Sequence, residues 1–399
     1  MFFLRNKLDP NLKISLVNNC YKKYKVIIHC KHMPDVIEKK VKSHHGKVIY
    51  SLYLINCIIA ILSKDAVERL IEYPQVDYIS LDNYALLCAS NILSLNGICY
   101  KINSTLTGKN IGIGIVDSGI YPHCDLLNPR NKIKRFVDLI NCCNYPYDDN
   151  GHGTFMSGIL CGSGYLSNGK YSGIAEDSHI YMVKAFNSLG RGWISDILNA
   201  IYLIISEREA FNIRILCLPF ELPYNNYFII SLFSKLFEIA AKYNIITIVP
   251  AGNNGEYDGS ISGIATLDNC ITVGGIDTTS YSPKLYKYSS CGPFKKLNKP
   301  NLVAAAVDIC SLNSNINYIS ERNGHKIYPS NLKIPYACYS GTSCAAAYIS
   351  GICALLYEKN PDLTFKDISS IIKVSCSPIN LSRYKQGSGV LDLDKLPLD

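Results

Sequence analysis

Three residue types that can cooperate in acyl transfer stand in three separate stretches. Ser343 lies in Tyr339-Ser340-Gly341-Thr342-Ser343-Cys344-Ala345-Ala346-Ala347 and opens a run of small and apolar residues that reads as a buried helix. At a helix N-terminus unpaired N–H groups and the dipole favour negative charge, which suits a hydroxyl whose attack creates an oxyanion. The same position also suits a plain N-cap serine. His152 sits between glycines in Asp148-Asp149-Asn150-Gly151-His152-Gly153-Thr154, and Asp117 ends Ile115-Val116-Asp117-Ser118-Gly119. Alone, the first is a surface loop histidine and the second a strand-end turn aspartate. Together they supply the nucleophile, the base and the tautomer-fixing carboxylate that acyl transfer needs.

The elements around them alternate. Ile111–Val116, Ile180–Val183, Ile213–Leu218, Ile245–Val249 and Ile271–Gly275 read as short buried strands. Gly153–Leu160, Trp193–Ile205, Tyr227–Tyr243 and Thr364–Lys373 read as helices, the last with Thr364 and Asp367 spaced as a capping box. Alternation of this kind implies a mainly parallel sheet covered on both faces, with sites at the carboxyl ends of strands. Asp117 is at such an end.

Ahead of it lies a smaller unit. Lys25–Cys30, Lys47–Tyr53, Leu54–Leu62 and Val76–Asp82 read as strands, and Met33–His45 and Asp65–Tyr73 as helices. The order βαββαβ is the ferredoxin-like pattern, which by itself carries no function. Residues 1–23 form an extension without a strong pattern, 24–88 the small domain and 89–399 the large one.

The chain of 399 residues has 48% apolar and 18% charged residues, a globular composition. Its net charge of +8 comes from dispersed residues, a solvated surface and not a nucleic-acid stripe. No stretch is long enough to span a membrane, and the N-terminus has no signal-peptide run. Seventeen cysteines without regular spacing point to free thiols and a reducing cytoplasm.

The order Asp117, His152, Ser343 and the flanks of each, with Pro250-Ala251-Gly252-Asn253-Asn254-Gly255 as a fourth motif, resemble the subtilisin-like serine proteases (subtilases, peptidase family S8). Leu106-Thr107-Gly108-Lys109-Asn110, Pro146-Tyr147-Asp148-Asp149 and Lys299-Pro300-Asn301 look like the AprX-type intracellular members. The resemblance implies a three-layer α/β/α domain preceded by a small α+β ferredoxin-like propeptide. It implies that Ser343 is the nucleophile, His152 the general base and then acid, and Asp117 the orienting carboxylate. Asn253 would give its side-chain amide to the oxyanion, beside the Ser343 N–H.

By the same resemblance, protein or peptide substrates bind as an added strand between two segments. One holds Gly190, Arg191 and Gly192; the other is Cys217-Leu218-Pro219-Phe220, with Leu218 and Pro219 where the family has Leu-Gly. There proline lacks an N–H and Phe220 adds bulk. Other departures are Cys344-Ala345-Ala346-Ala347 after the serine and Phe155 in place of a second histidine. The propeptide of such enzymes assists folding, covers the cleft and is cut off autocatalytically, here within Leu86–Ser90. No cofactor is required for the chemistry, and the structural calcium common in the family cannot be placed. The departures also fit a second reading, a weak or inactive subtilase-fold protein that regulates a partner protease.

Overall fold

The computed structural model describes residues 7–88, 90–92, 105–280, 282–293 and 298–398. It opens with a helix, α1 (Pro10–Val17), whose first N–H groups are accepted by the Asp9 carboxylate. Then come β1 (Tyr24–Cys30), α2 (Pro34–Ser43), β2 (Lys47–Leu52), β3 (Cys57–Leu62), α3 (Lys64–Leu70) and β4 (Val76–Leu81). The four strands make one antiparallel sheet in the order β2-β3-β1-β4, as the βαββαβ pattern predicts. Alternation along β1 splits its side chains between two cores. Val26, Ile28 and Cys30 meet Leu12, Ile37, Val41 and Val67 of the three helices, whereas Ile27 faces the opposite way.

Two details differ from the sequence pattern. Residues 10–17 are helical although no apolar stripe announces it, because Leu12 and Leu16 reach the core while Ile14 and Val17 stay exposed. The strand expected from Leu54 starts only at Cys57, since Tyr53–Ile55 form a tight turn and Asn56 takes a φ of 52°.

β5 (Tyr84–Leu87) ends the N-terminal part, and the larger unit holds β6 (Ser90–Ile92), β7 (Gly112–Asp117), α4 (Cys124–Leu127), β8 (Ile133–Asp138) and α5 (His152–Cys161). Next are β9 (His179–Lys184), β10 (Arg191–Trp193), α6 (Ile194–Ser206), β11 (Ile213–Cys217), β12 (Phe220–Glu221), α7 (Tyr227–Lys242) and β13 (Ile246–Pro250). β14 (Ile271–Asp277), β15 (Lys284–Leu285), β16 (Leu302–Ala305), β17 (Ile309–Leu312), β18 (Glu321–Arg322), β19 (His325–Lys326) and β20 (Tyr336–Ser340) follow. The chain closes through α8 (Thr342–Lys359), α9 (Phe365–Val374), β21 (Cys376–Ser377) and β22 (Val390–Leu391).

The central sheet runs β21-β22-β16-β14-β13-β11-β7-β9-β8, with β15 beside β14. All its neighbours from β22 to β8 are parallel. From β7 the chain first fills one side, with β8 and β9, and then the other, from β11 onward. β7 is therefore where the strand order reverses, the place where open parallel sheets bind ligands beyond their carboxyl ends. Alternate residues feed two cores. Ile113 and Ile115 pack under α5 and α8, while Val116 and Leu216 pack under α6 and α7. Each fully buried isoleucine or leucine contributes roughly 2 kcal/mol. The small residues of α8 let it sit buried almost all round, so it has no polar face at its start. The β-sheet of the smaller unit docks on α6 and α7, its Ile27, Cys57 and Ile59 joining their core together with Ile55 of the turn before β3.

Candidate active site

Asp117 closes β7 with its carboxylate buried. His152 is the first residue of α5, and its neighbours explain how it gets there. A Cβ on Gly153 would lie 2.1 Å from the Gly119 carbonyl and 3.1 Å from Asp117 Cβ, so only glycine lets the helix start abut the end of β7. Asp148 secures this start. One of its oxygens accepts from Ser118 Oγ (2.8 Å) and the Gly151 N–H (2.8 Å), the other from the N–H (2.9 Å) and hydroxyl (2.6 Å) of Thr154.

Ser343 is the second residue of α8. His152 Nδ1 lies 2.9 and 2.8 Å from the two Asp117 oxygens, and Nε2 lies 3.1 Å from Ser343 Oγ. A carboxylate only accepts, so in the neutral ring Nδ1 carries the proton and Nε2 turns its lone pair to the serine. The three residues are at most 2% exposed. Such a row can draw a proton off the hydroxyl as it attacks.

Asn253 follows β13. Its side-chain oxygen accepts from the N–H (3.2 Å) and hydroxyl (3.1 Å) of Thr342, and this aims its NH₂ at the carbonyl of Cys88, 2.6 Å away. The Ser343 hydroxyl also approaches that carbonyl, at 2.9 Å. The expected amide donor and the hydroxyl therefore converge on one carbonyl oxygen of the chain itself. Burial pushes the Cys88 thiol well above its ordinary pKa, and the Glu221 and Asp117 carboxylates add to the effect.

Cys88 ends a bound strand. β5 is the middle of an antiparallel sheet β10-β5-β12, with Arg191 opposite Leu86, Gly192 opposite Ala85, Phe220 opposite Leu87 and Glu221 opposite Leu86. The Leu87 N–H donates to the Gly190 carbonyl (3.2 Å). Beyond Cys88, β6 pairs with β20, Ser90 opposite Ser340. The Phe155 ring stacks on Tyr339 of β20 at 4.2 Å and 7°. Gly190, Arg191 and Gly192 thus lie along the edge that pairs with β5.

The second edge is corrected. Pairing falls on Phe220 and Glu221, not on Leu218 and Pro219. The Leu218 N–H already donates to Ile248 O and its side chain is in the core. Pro219 sits at the centre of a three-residue turn in which Phe220 N donates to Leu218 O (2.8 Å), so its missing N–H costs nothing. The Phe220 ring does not obstruct the cleft. It is fully buried among Phe186 and Phe233, with centroids 5.3 and 6.5 Å away.

The approach of the strand is anchored upstream. The buried Asp82 carboxylate accepts from the N–H (3.1 Å) and hydroxyl (2.7 Å) of Ser195 at the start of α6, and pairs with Lys25 at 3.1 Å. The Ile194 N–H donates to Asn83 O (2.8 Å), and Tyr84 packs on Trp193 with ring centroids 3.9 Å apart.

Several participants escaped the sequence reading. Asp148 acts through Ser118, Gly151 and Thr154, and Thr342 and Glu221 act through partners far along the chain. So does Lys184, fully buried, whose ammonium is held by Ser118 O, Phe186 O (3.1 Å) and Asp149 (2.6 Å). Asp148 and Asp149 carried a usable signal in their place before the glycine-flanked histidine; the others carried none. Among the described residues no group of three or more His, Cys, Asp or Glu is arranged to hold a metal ion, and no helix is long and apolar enough to cross a membrane.

A mainly parallel sheet between two layers of helices, with the extended β5 segment leading past its carboxyl ends to a serine, is the architecture of a serine protease. Residues 108–389 match the model of the subtilase family. The chain is 31% identical over 357 residues to serine protease AprX of Bacillus subtilis, covering 85% of this chain and 77% of that protein. It is 25% identical over 367 residues to subtilisin E of the same species, covering 90% and 84%. In structure it is similar to fervidolysin from Fervidobacterium pennivorans, with a TM-score of 0.71 at 19% identity, over 95% of this chain and 62% of that one. The chain belongs to the subtilase family of serine proteases.

Proposed function

We infer that this protein is a serine endopeptidase made as a zymogen, acting through Asp117, His152 and Ser343 with Asn253 as oxyanion donor. Its N-terminal unit is a propeptide that occupies the cleft, and its own first substrate is the bond between Cys88 and Ala89. The observation that carries this reading is the Cys88 carbonyl, 2.9 Å from Ser343 Oγ and 2.6 Å from the Asn253 amide. In the proposed step Ser343 Oγ bonds to the Cys88 carbonyl carbon while His152 Nε2 takes the hydroxyl proton. That proton then goes to the Ala89 nitrogen as the peptide bond breaks, leaving an acyl-enzyme for water to hydrolyse. Side-chain and backbone groups of the chain suffice for these steps. Ala89 itself lies outside the described residues.

The core position of Phe220 favours this reading over that of an inactive, partner-regulating protein, for which the altered Cys217–Phe220 strand is one ground and the altered surroundings of Ser343 the other. Every cysteine among the described residues is free, and most are buried, which favours work in a reducing cytoplasm. The test compares the wild-type chain with Ser343→Ala. The wild type labels with a fluorophosphonate and yields fragments ending at Cys88 and beginning at Ala89 by mass spectrometry, and the variant does neither. Labelling of the variant, or a wild-type chain that stays whole and unlabelled, overturns the assignment.

A further inference from the structure

We propose that Glu221 is a positioning residue that couples the seating of the substrate strand to the aim of the Asn253 amide. The inference rests on the reading of Asn253 as oxyanion donor. Glu221 faces two ways. Its backbone, in β12, opposes Leu86, the second residue before Cys88. Its side chain turns to the loop after β13, where Oε2 accepts from the Asn253 N–H (3.0 Å) and from Asn254 Nδ2 (3.3 Å). One residue therefore touches both the strand that brings the carbonyl and the loop that receives it.

The loop needs such a hold. Gly252 has a φ of 104°, and a Cβ there would come within 2.6 Å of Glu221 Oε2, so the loop is drawn tight against the carboxylate. Asn253 hangs from three groups: Glu221 on its N–H, and the N–H and hydroxyl of Thr342 on its side-chain oxygen. The Thr342 bonds set the rotation of the amide. The Glu221 bond sets where the residue stands. A displacement of about 1 Å in such a group costs on the order of 10²-fold in rate. Mostly buried, and held above its ordinary pKa by desolvation, the Glu221 carboxyl is placed where it costs folding energy, with the Asn253 N–H bond offsetting part of it. What the coupling requires is an acceptor oxygen at the right reach, not a charge.

That distinction sets the test. The self-processed enzyme is assayed on a peptide anilide, with rates divided by fluorophosphonate-titrated sites. Glu221→Ala lowers kcat by about 10–100-fold with KM within about 3-fold, because the strand pairing is through the backbone. Glu221→Gln, which keeps an oxygen at the same reach, recovers most of that loss. Glu221→Asp, which keeps the charge but is shorter, does not. Adding Glu221→Ala to Asn253→Ala lowers kcat no further, since the first acts through the second. Should Glu221→Ala fail to fold, the ordering of the glutamine and aspartate variants still decides. Aspartate at least as active as glutamine, or effects that add fully to those of Asn253→Ala, overturn the proposal. A wild-type rate for Asn253→Ala alone refutes the oxyanion reading instead, so the two failures are separable.

Discussion

Asp82→Ala is the sharpest probe of how the N-terminal unit is held in the cleft. The substitution removes the acceptor of the Ser195 N–H at the start of α6, the nearer of two acceptors of the Ser195 hydroxyl and the nearer partner of Lys25. Loss of a helix cap costs about 1 kcal/mol. Loss of a hydrogen bond to a charged group costs about 1.5–3 kcal/mol. Against this, burial raises the Asp82 pKa despite Lys25 and Ser195, so the ionised carboxylate already carries a desolvation cost that alanine relieves. Lys25 also keeps Asp196 at 3.5 Å and the Trp193 ring at 4.6 Å. The net is about 2 kcal/mol, or about 30-fold in the local opening equilibrium. The assay is amide hydrogen exchange in a Ser343→Ala background, where the proposed self-cleavage is blocked. The Leu87 and Ile194 amides, bonded to Gly190 and Asn83, exchange about 30-fold faster, while those of β7 do not change. Asp82→Asn, which keeps an acceptor without the charge, gives a smaller acceleration. Unchanged exchange at Leu87 and Ile194 in a folded Asp82→Ala protein would refute the anchoring argument.

Two further outcomes are expected. Phe220→Ala lowers unfolding stability by about 3–5 kcal/mol in urea, with KM for a peptide little altered; a large KM change with little destabilisation would place the ring in the cleft. His29 lies at the docking face, where Nε2 meets the Lys235 ammonium at 2.8 Å and Nδ1 meets Asp77 at 2.9 Å. Burial first, and then Lys235, hold its pKa below the usual histidine value, with Asp77 opposing. The docked state thus prefers neutral imidazole. Its contribution is intact above the unperturbed pKa and is lost as pH falls through the depressed one. Exchange of the Leu87 amide, corrected for intrinsic rate, therefore rises on acidification below that range, and His29→Gln flattens the rise. An identical pH slope in both proteins would exclude His29 as its source.

Much of the site was legible because its parts advertise themselves locally. Asp117 ends an apolar strand, His152 is bracketed by glycines that only a tight approach requires, and Ser343 opens a helix of small residues. Five strands of the parallel sheet, β7, β9, β11, β13 and β14, were equally plain, being short apolar runs rich in isoleucine, whereas β16 and β22 at its other side were not read. Nor was β8, because Lys134 and Arg135 lie exposed on an edge strand and break its apolar run. Helix α1 had a cap and a proline but no clean stripe. The family resemblance narrowed one segment to Leu86–Ser90 without singling out Cys88, and Glu221 could not be found from its neighbours at all. Cys88 has meaning only opposite Ser343, 255 positions away, and Glu221 only beside a loop more than thirty residues downstream. Phe220 misled for a related reason. Its bulk was visible in the sequence, but the turn at Pro219 that sends the ring inward is a matter of backbone geometry.

Among the described residues, β10 and β12 are not sheet neighbours; β5 lies between them and pairs with both. With β5 gone, as the proposed processing requires, they would leave a slot with two rims of unpaired N–H and C=O groups, one chain-width apart. A folded protein has already spent its own backbone groups on sheets and helices, so it has nothing to offer both rims at once. A loosened loop, a frayed end or a misfolded chain does. On the proposed reading, in which a substrate takes the place of β5, the slot would sort its clients by how unravelled they are before it reads a single side chain.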